Sequence, residues 1–70
     1  KKNLPELYVD LGQIYFEQHR YDEALEQYMG AWKMGYSQGR IGAENIANTW
    51  FNAGDEERAN AIYKRILEKK

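Results

Sequence analysis

The sequence has no cysteine and a single histidine among its 70 residues, and these absences exclude several kinds of site. Without cysteine, the chain has neither a disulfide framework nor a thiolate metal site. His19 cannot build a zinc site by itself, since such sites take three or four protein ligands. The fold must therefore rest on packing of apolar side chains, and no metal or cofactor is expected.

An excess of charge of one sign and long apolar runs are also lacking. The net charge is -1 with 30% charged residues, whereas a nucleic-acid-binding domain usually carries a basic stripe. No apolar run approaches the roughly 18 residues that span a bilayer, so neither nucleic-acid binding nor membrane insertion is expected. The first residues show no signal-peptide hydrophobic stretch, which makes a cytoplasmic chain the default expectation.

Aromatic side chains are abundant, at 14% of the residues. They recur with aliphatic side chains at three- and four-residue steps, without the period-two alternation of strands. The pattern predicts an all-α fold of four helices joined by short loops, hence antiparallel neighbours. The first helix runs over about residues 5–18, the second from about 21 to a stop at Gly35, the third from Ser37 or Gly39 to Gly54, and the fourth from Asp55. Asn3 and Glu6 predict a capping box at the first helix.

The two halves of the chain match at an offset of 35 residues, which is typical of helical repeat proteins. Large positions stay large and small positions stay small in most pairs. The pairs that agree in size are Leu11 with Ile46, Gly12 with Ala47, Tyr15 with Trp50, Ala24 with Ala59 and Tyr28 with Tyr63, whereas Ala31 with Ile66 and Tyr8 with Ala43 differ.

The first half resembles the tetratricopeptide repeat (TPR) family, whose pattern is an aromatic, Leu-Gly, Tyr, and a later Ala, aromatic and Ala. Those places are filled by Tyr8, Leu11-Gly12, Tyr15, Ala24, Tyr28 and Ala31. The second half matches less well, with Ala43 in place of the aromatic. The resemblance implies one domain over residues 1–70 made of two stacked helix–turn–helix repeats, a fragment of an α-solenoid. Repeat one is placed at about 5–38, a linker at 39, and repeat two at about 40–70.

The resemblance also implies a protein–protein interaction scaffold that binds a peptide or helix of a partner in a concave groove. The first helix of each repeat lines that groove in the family. The partner-binding residues are then expected to be Val9, Gln13, Phe16, Glu17, Glu44, Asn48, Phe51 and Asn52. Phe16 or Phe51 could instead pack on a neighbouring helix. Val9 and Gln13 stand where TPR domains that grip acidic C-terminal tails carry Lys and Asn, so that subtype is not expected.

Two other binding functions are compatible with a repeat of this length. Self-association, as a dimer or array, could cover the last helix, where Ile62, Ile66 and Leu67 have no following helix. The 35-residue step is also that of pentatricopeptide repeats, which bind RNA, but these need several repeats and a basic groove. The net charge argues against the RNA-binding alternative.

Catalysis is not expected from any cluster of residues in the sequence. The glycine-rich stretch "MGYSQGRIGA" follows a helix and lacks the Gly-Lys-Ser/Thr run of a phosphate loop. It is interpreted as the joint between repeats, although Gly42 falls inside the third helix, where it could admit close packing or a ligand, or merely be tolerated. His19 lies in a helix–helix turn, and the acidic runs begin helices, where carboxylates offset the helix dipole.

Overall fold

A computed structural model of the chain describes residues 2–68, so residues 1, 69 and 70 of the expected domain lie outside it. The elements are helix α1, Leu4–Glu17; α2, Tyr21–Lys33; α3, Ser37–Asn52; and α4, Glu56–Leu67. Each helix packs against the next, and α1 also packs against α3. The described residues contain no strand, and the prediction of an all-α fold with four helices is confirmed.

Polar side chains start α1 and α4 as the sequence predicts. The Asn3 side chain accepts a hydrogen bond from the Glu6 backbone N–H at 3.1 Å, and the Glu6 carboxylate accepts one from the Asn3 N–H at 2.9 Å. This reciprocal capping box satisfies two N–H groups that an α-helix leaves without partners. Asp55 caps α4 by accepting from the Arg58 N–H at 3.0 Å.

The three interhelical turns share one geometry, in which a residue with positive φ follows the helix C-cap. That residue is His19 with φ 61°, Gly35 with φ 86° or Gly54 with φ 92°. Glycine adopts this conformation without steric penalty, whereas other residues are strained in it by about 1–2 kcal/mol. The Nδ1 of His19 lies 2.8 Å from the Tyr21 hydroxyl, a contact that anchors the side chain in its turn.

Gly39, which the sequence analysis placed in the connection, lies in the first turn of α3 because that helix begins at Ser37. An added Cβ there would lie 2.4 Å from the backbone oxygen of Tyr28 and 2.6 Å from the backbone nitrogen of Trp32. The backbones of α2 and α3 therefore touch at this point, and only a residue without a side chain permits it.

The core lies between the helices and draws on all but α1 for its fully buried members. It comprises Ala24, Leu25, Tyr28, Met29, Ala43, Ile46, Ala47, Ile62 and Ile66. Of the three apolar side chains of α4 that have no following helix, Ile62 and Ile66 are each only 5% exposed. They pack with residues of α2 and α3 in this core, and Leu67 remains exposed.

Candidate functional site

The buried ring of Tyr28 joins three helices. It projects from α2 between Gly12 of α1 and Gly42 of α3. A Cβ added at Gly12 would lie 2.9 Å from the ring, and one added at Gly42 would lie 2.4 Å from it. Gly42 therefore serves close packing, one of the roles that the sequence left open for it.

The hydroxyl group of this tyrosine orients an amide on the neighbouring helix. Tyr28 Oη donates a hydrogen bond to Gln13 Oε1 at 3.2 Å. The hydroxyl of Tyr63, 35 residues later, donates in the same way to Asn48 Oδ1. Each amide oxygen thus accepts a hydrogen bond from a tyrosine hydroxyl. The NH₂ group of the same amide then remains as a donor for other groups. In α1 this group of Gln13 donates to Glu17 Oε2 at 3.2 Å.

Burial raises the pKa of Tyr28 above its ordinary value of 10.0, and the carboxylate of Glu17 raises it further. The neutral phenol is thus favoured in the folded state. Its contribution to the free energy of unfolding is complete below pH 10 and is lost as the pH rises through the folded-state pKa. We expect Tyr28→Phe to lose less stability than the parent between about pH 9 and about pH 11, as measured by urea unfolding at each pH.

The matched control for this pH dependence is Tyr63→Phe. Its side chain also donates to an amide but is only half-buried, whereas Tyr28 is buried. The variant is expected to follow the alkaline profile of the parent. Equal alkaline losses in the parent and in Tyr28→Phe would contradict the assignment to Tyr28.

Two of the predicted site residues on α1 are partly taken up by packing. Val9 and Phe16 are half-buried and pack against the core. The ring of Phe16 meets the ring of Tyr21 edge-on, with centroids 5.5 Å apart. Phe16 thus makes the neighbouring-helix contact that the sequence left open. The polar members of the α1 set, Gln13 and Glu17, are exposed.

The predicted residues on α3 are more accessible. Phe51 is 51% exposed, and Asn48 and Asn52 are exposed beside it. Glu44 is half-buried, and its carboxylate lies 3.8 Å from the Arg40 guanidinium. Because α1 packs against α3, the two predicted sets belong to one pair of adjacent helices, with Phe51 as the large apolar side chain that remains available.

A row of aromatic side chains runs across the turns, and the sequence pattern does not predict it. Tyr21 meets Trp50 edge-on at 5.6 Å, and the Arg58 guanidinium lies 4.3 Å from the centre of the Trp50 ring. A shallow depression of about 340 Å³ opens beside this row and also takes in the ion pair of Arg20 with Glu23. A periodicity analysis assigns Tyr21 to a helix start but does not show that it bridges Phe16 and Trp50.

Neither a metal-binding cluster nor a membrane-spanning helix is found among residues 2–68. No cluster of three or more His, Asp or Glu side chains there could hold a metal ion. Within the same residues, none of the helices combines the length and apolar character needed to cross a membrane.

A family model described as tetratricopeptide repeat matches residues 5–30, which cover nearly all of α1 and α2 up to Gly30. No curated protein and no solved structure matches the chain significantly. The sequential packing of the four helices, with α1 beside α3, is consistent with two such repeats. The resemblance is therefore confirmed for residues 5–30, and the second pair of helices has the arrangement of a further repeat.

Proposed function

We propose that the chain is a protein-interaction module that binds an extended peptide segment of a partner along the surface of α1 and α3. Tetratricopeptide repeats typically act as non-catalytic scaffolds for protein partners, and no reaction is proposed. The observation that carries the proposal is the repeated pairing of a tyrosine hydroxyl with an amide side chain. It recurs at the 35-residue offset, as Tyr28 with Gln13 and Tyr63 with Asn48.

These oriented amides suit recognition of a peptide main chain. An extended peptide carries carbonyl groups that need donors when it leaves water, and an unpaired one costs about 1–3 kcal/mol. Gln13 and Asn48 occupy corresponding positions of the two repeats, and each has its oxygen engaged by tyrosine. Their NH₂ groups can then meet two carbonyl groups of one peptide. Fixing the amides before binding reduces the entropy that binding would otherwise cost.

Side chains around the amides indicate the composition of the peptide. Phe51 offers an exposed apolar surface. Glu17 adds a carboxylate on α1, and the expected site set contains two acidic residues and no basic residue. Complementary charge favours association with a partner of opposite sign. We therefore expect peptides with at least one large apolar side chain and a Lys or Arg.

The proposal is tested with peptides that are selected from a random displayed library for binding to the chain. The variant removes the exposed ring of Phe51. Phe51→Ala is expected to weaken binding of such a peptide about fivefold or more, since aromatic anchors at an interface are often worth more than 1 kcal/mol. Fluorescence anisotropy with the labelled peptide measures the dissociation constant.

The matched control is Met34→Ala, which removes a side chain of similar exposure, 45%, from the C-cap of α2. It should change the dissociation constant of the peptide by no more than about twofold, which corresponds to about 0.4 kcal/mol. If Met34→Ala weakened binding as much as Phe51→Ala, or if neither did, the peptide would not lie on the α1–α3 surface.

A further inference from the structure

The first helix carries an exposed row of aliphatic side chains that the proposed peptide site does not use. We name it the leucine stripe: Leu4, Leu7, Leu11 and Ile14. Their exposures lie between 38% and 56%. Steps of three, four and three residues keep them on one face of α1. Burial of large aliphatic side chains away from water is favourable, so this face favours a covering partner.

The internal repeat shows what kind of element such a face holds. Residues of α3 that correspond to the leucine stripe at the 35-residue offset are Gly39, Gly42, Ile46 and Thr49. Gly39 and Gly42 contact Tyr28 and neighbouring residues of α2, and Ile46 is fully buried. On α3, therefore, this face is covered by a helix, whereas on α1 the corresponding face is open.

The stripe cannot be covered by α4 of a second copy in the way that α2 covers α3. Tyr63 is the α4 counterpart of Tyr28. The ring of Tyr28 needs glycine at position 42, because a Cβ added there would lie only 2.4 Å from the ring. Leu7 stands at the corresponding position of α1 and has a full side chain. Steric overlap of this kind excludes a head-to-tail array with the internal α2–α3 geometry.

We propose instead that the leucine stripe pairs with the leucine stripe of a second copy, with the two α1 helices antiparallel about a twofold axis. The 3-4-3 spacing is the same in both directions, so antiparallel pairing places Leu7 opposite the second copy's Leu11 and Leu4 opposite its Ile14. Such a self-complementary contact forms a closed dimer.

The charges at the ends of α1 favour the antiparallel arrangement over a parallel one. Lys2, which is paired with Asp10, lies at the start of the helix, and Glu17 lies at its end. Antiparallel helices bring Lys2 of one copy toward Glu17 of the other, whereas parallel helices would bring like charges together. Opposed helix dipoles add to this preference.

The dimer is expected to be weak, because four half-exposed side chains per copy make a smaller contact than the roughly 1,200–2,000 Å² of stable interfaces. Sedimentation equilibrium at chain concentrations from about 10 μM to about 1 mM covers the dissociation constants expected of such a weak dimer. The weight-average mass of the 70-residue chain should rise with concentration from 8.3 kDa toward twice that value and stop there.

Charge placed in the stripe should remove the dimer. Leu7→Glu is expected to raise the dimer dissociation constant by more than about tenfold, since each copy would bury a carboxylate among aliphatic side chains. Phe51→Glu is the matched control, because both positions are 51% exposed, and it should dimerise like the parent. Far-UV circular dichroism checks that both variants are folded.

Disulfide trapping tests the relative orientation of the two α1 helices. Because the chain has no native cysteine, only the introduced cysteines can form disulfides. When Leu7→Cys and Leu11→Cys chains are mixed, the mixed disulfide should form faster than either homodisulfide, because antiparallel pairing brings these two positions together. A parallel dimer would instead favour the homodisulfides.

Several outcomes would overturn the proposal. These are a monomer throughout the concentration range, a mass that grows beyond two copies, unchanged dimerisation by Leu7→Glu, or preferred homodisulfides. The peptide site is tested separately, because Leu7 lies outside it. Leu7→Glu is expected to bind the selected peptide with unchanged affinity, so either proposal can fail without the other.

Discussion

Gly39→Ala is expected to destabilise the protein by about 3 kcal/mol, which is most of the roughly 3–5 kcal/mol that a single core of this size supplies. The added Cβ would lie 2.4 Å from the Tyr28 backbone oxygen and 2.6 Å from the Trp32 backbone nitrogen. Backbone atoms cannot turn aside as a side chain can, so α2 and α3 would have to separate. Urea unfolding followed by circular dichroism measures the loss.

The control for this substitution is Gly30→Ala, the same chemical change at another helical glycine. Its Cβ would lie 3.7 Å from the Tyr8 ring, an ordinary contact. Alanine is favoured over glycine in helices by about 1 kcal/mol, so Gly30→Ala should stabilise the protein by up to that amount. Similar effects of the two substitutions would show that α2 and α3 do not approach each other as closely as described.

Tyr28→Ala is expected to lower the free energy of unfolding by about 3–5 kcal/mol, as for other buried aromatic side chains. The change would empty the space between Gly12 and Gly42 and remove the hydrogen bond to Gln13. Three helices would lose a shared contact, and the variant should be largely unfolded at 25 °C. Thermal unfolding followed by circular dichroism provides the measurement.

Tyr63→Ala removes the counterpart of this side chain in the second repeat and serves as the comparison. Tyr63 is half-buried, whereas Tyr28 is only 4% exposed. Its loss should amount to about 1–2 kcal/mol, the range for a partly exposed side chain that also makes a hydrogen bond. Because Tyr28→Ala should leave little folded protein to measure, Tyr28→Leu gives a second value. Equal losses at positions 28 and 63 would contradict the role of Tyr28 as the contact between repeats.

The elements that local chemistry specifies could be predicted from the sequence. The capping box depends on Asn3 and Glu6, which are three residues apart, and both of its hydrogen bonds are present. The end of α2 depends on Gly35, the predicted stop, which has the positive φ typical of a residue that ends a helix. Such signals act within one helical turn, so the number and type of helices followed from them.

Contacts between elements were harder to predict, because periodicity shows which residues share a face but not what covers it. The faces of Leu7 and Ile62 have the same apolar pattern, yet Leu7 is half-exposed and Ile62 is buried. The sequence placed Gly39 at the joint between repeats and allowed α3 to start at Ser37 or Gly39. Only the tertiary structure shows that it admits the α2 backbone.

The candidate site was predictable to a similar depth. The family resemblance implied that α1 and α3 carry the binding residues, and those residues remain a prediction. The distinction between Phe16, whose ring meets Tyr21, and Phe51, which is exposed, needed the structure. So did the pairing of tyrosine hydroxyls with Gln13 and Asn48, because each pair spans 15 residues and two helices.

The most direct test of the proposed function is an NMR titration of the ¹⁵N-labelled chain with a peptide selected from the library. We predict that chemical-shift changes concentrate on α1 and α3 and include the side-chain NH₂ groups of Gln13 and Asn48, together with the backbone around Phe51. Changes confined to α2 and α4, with these NH₂ signals unmoved at saturation, would contradict peptide binding on the α1–α3 surface.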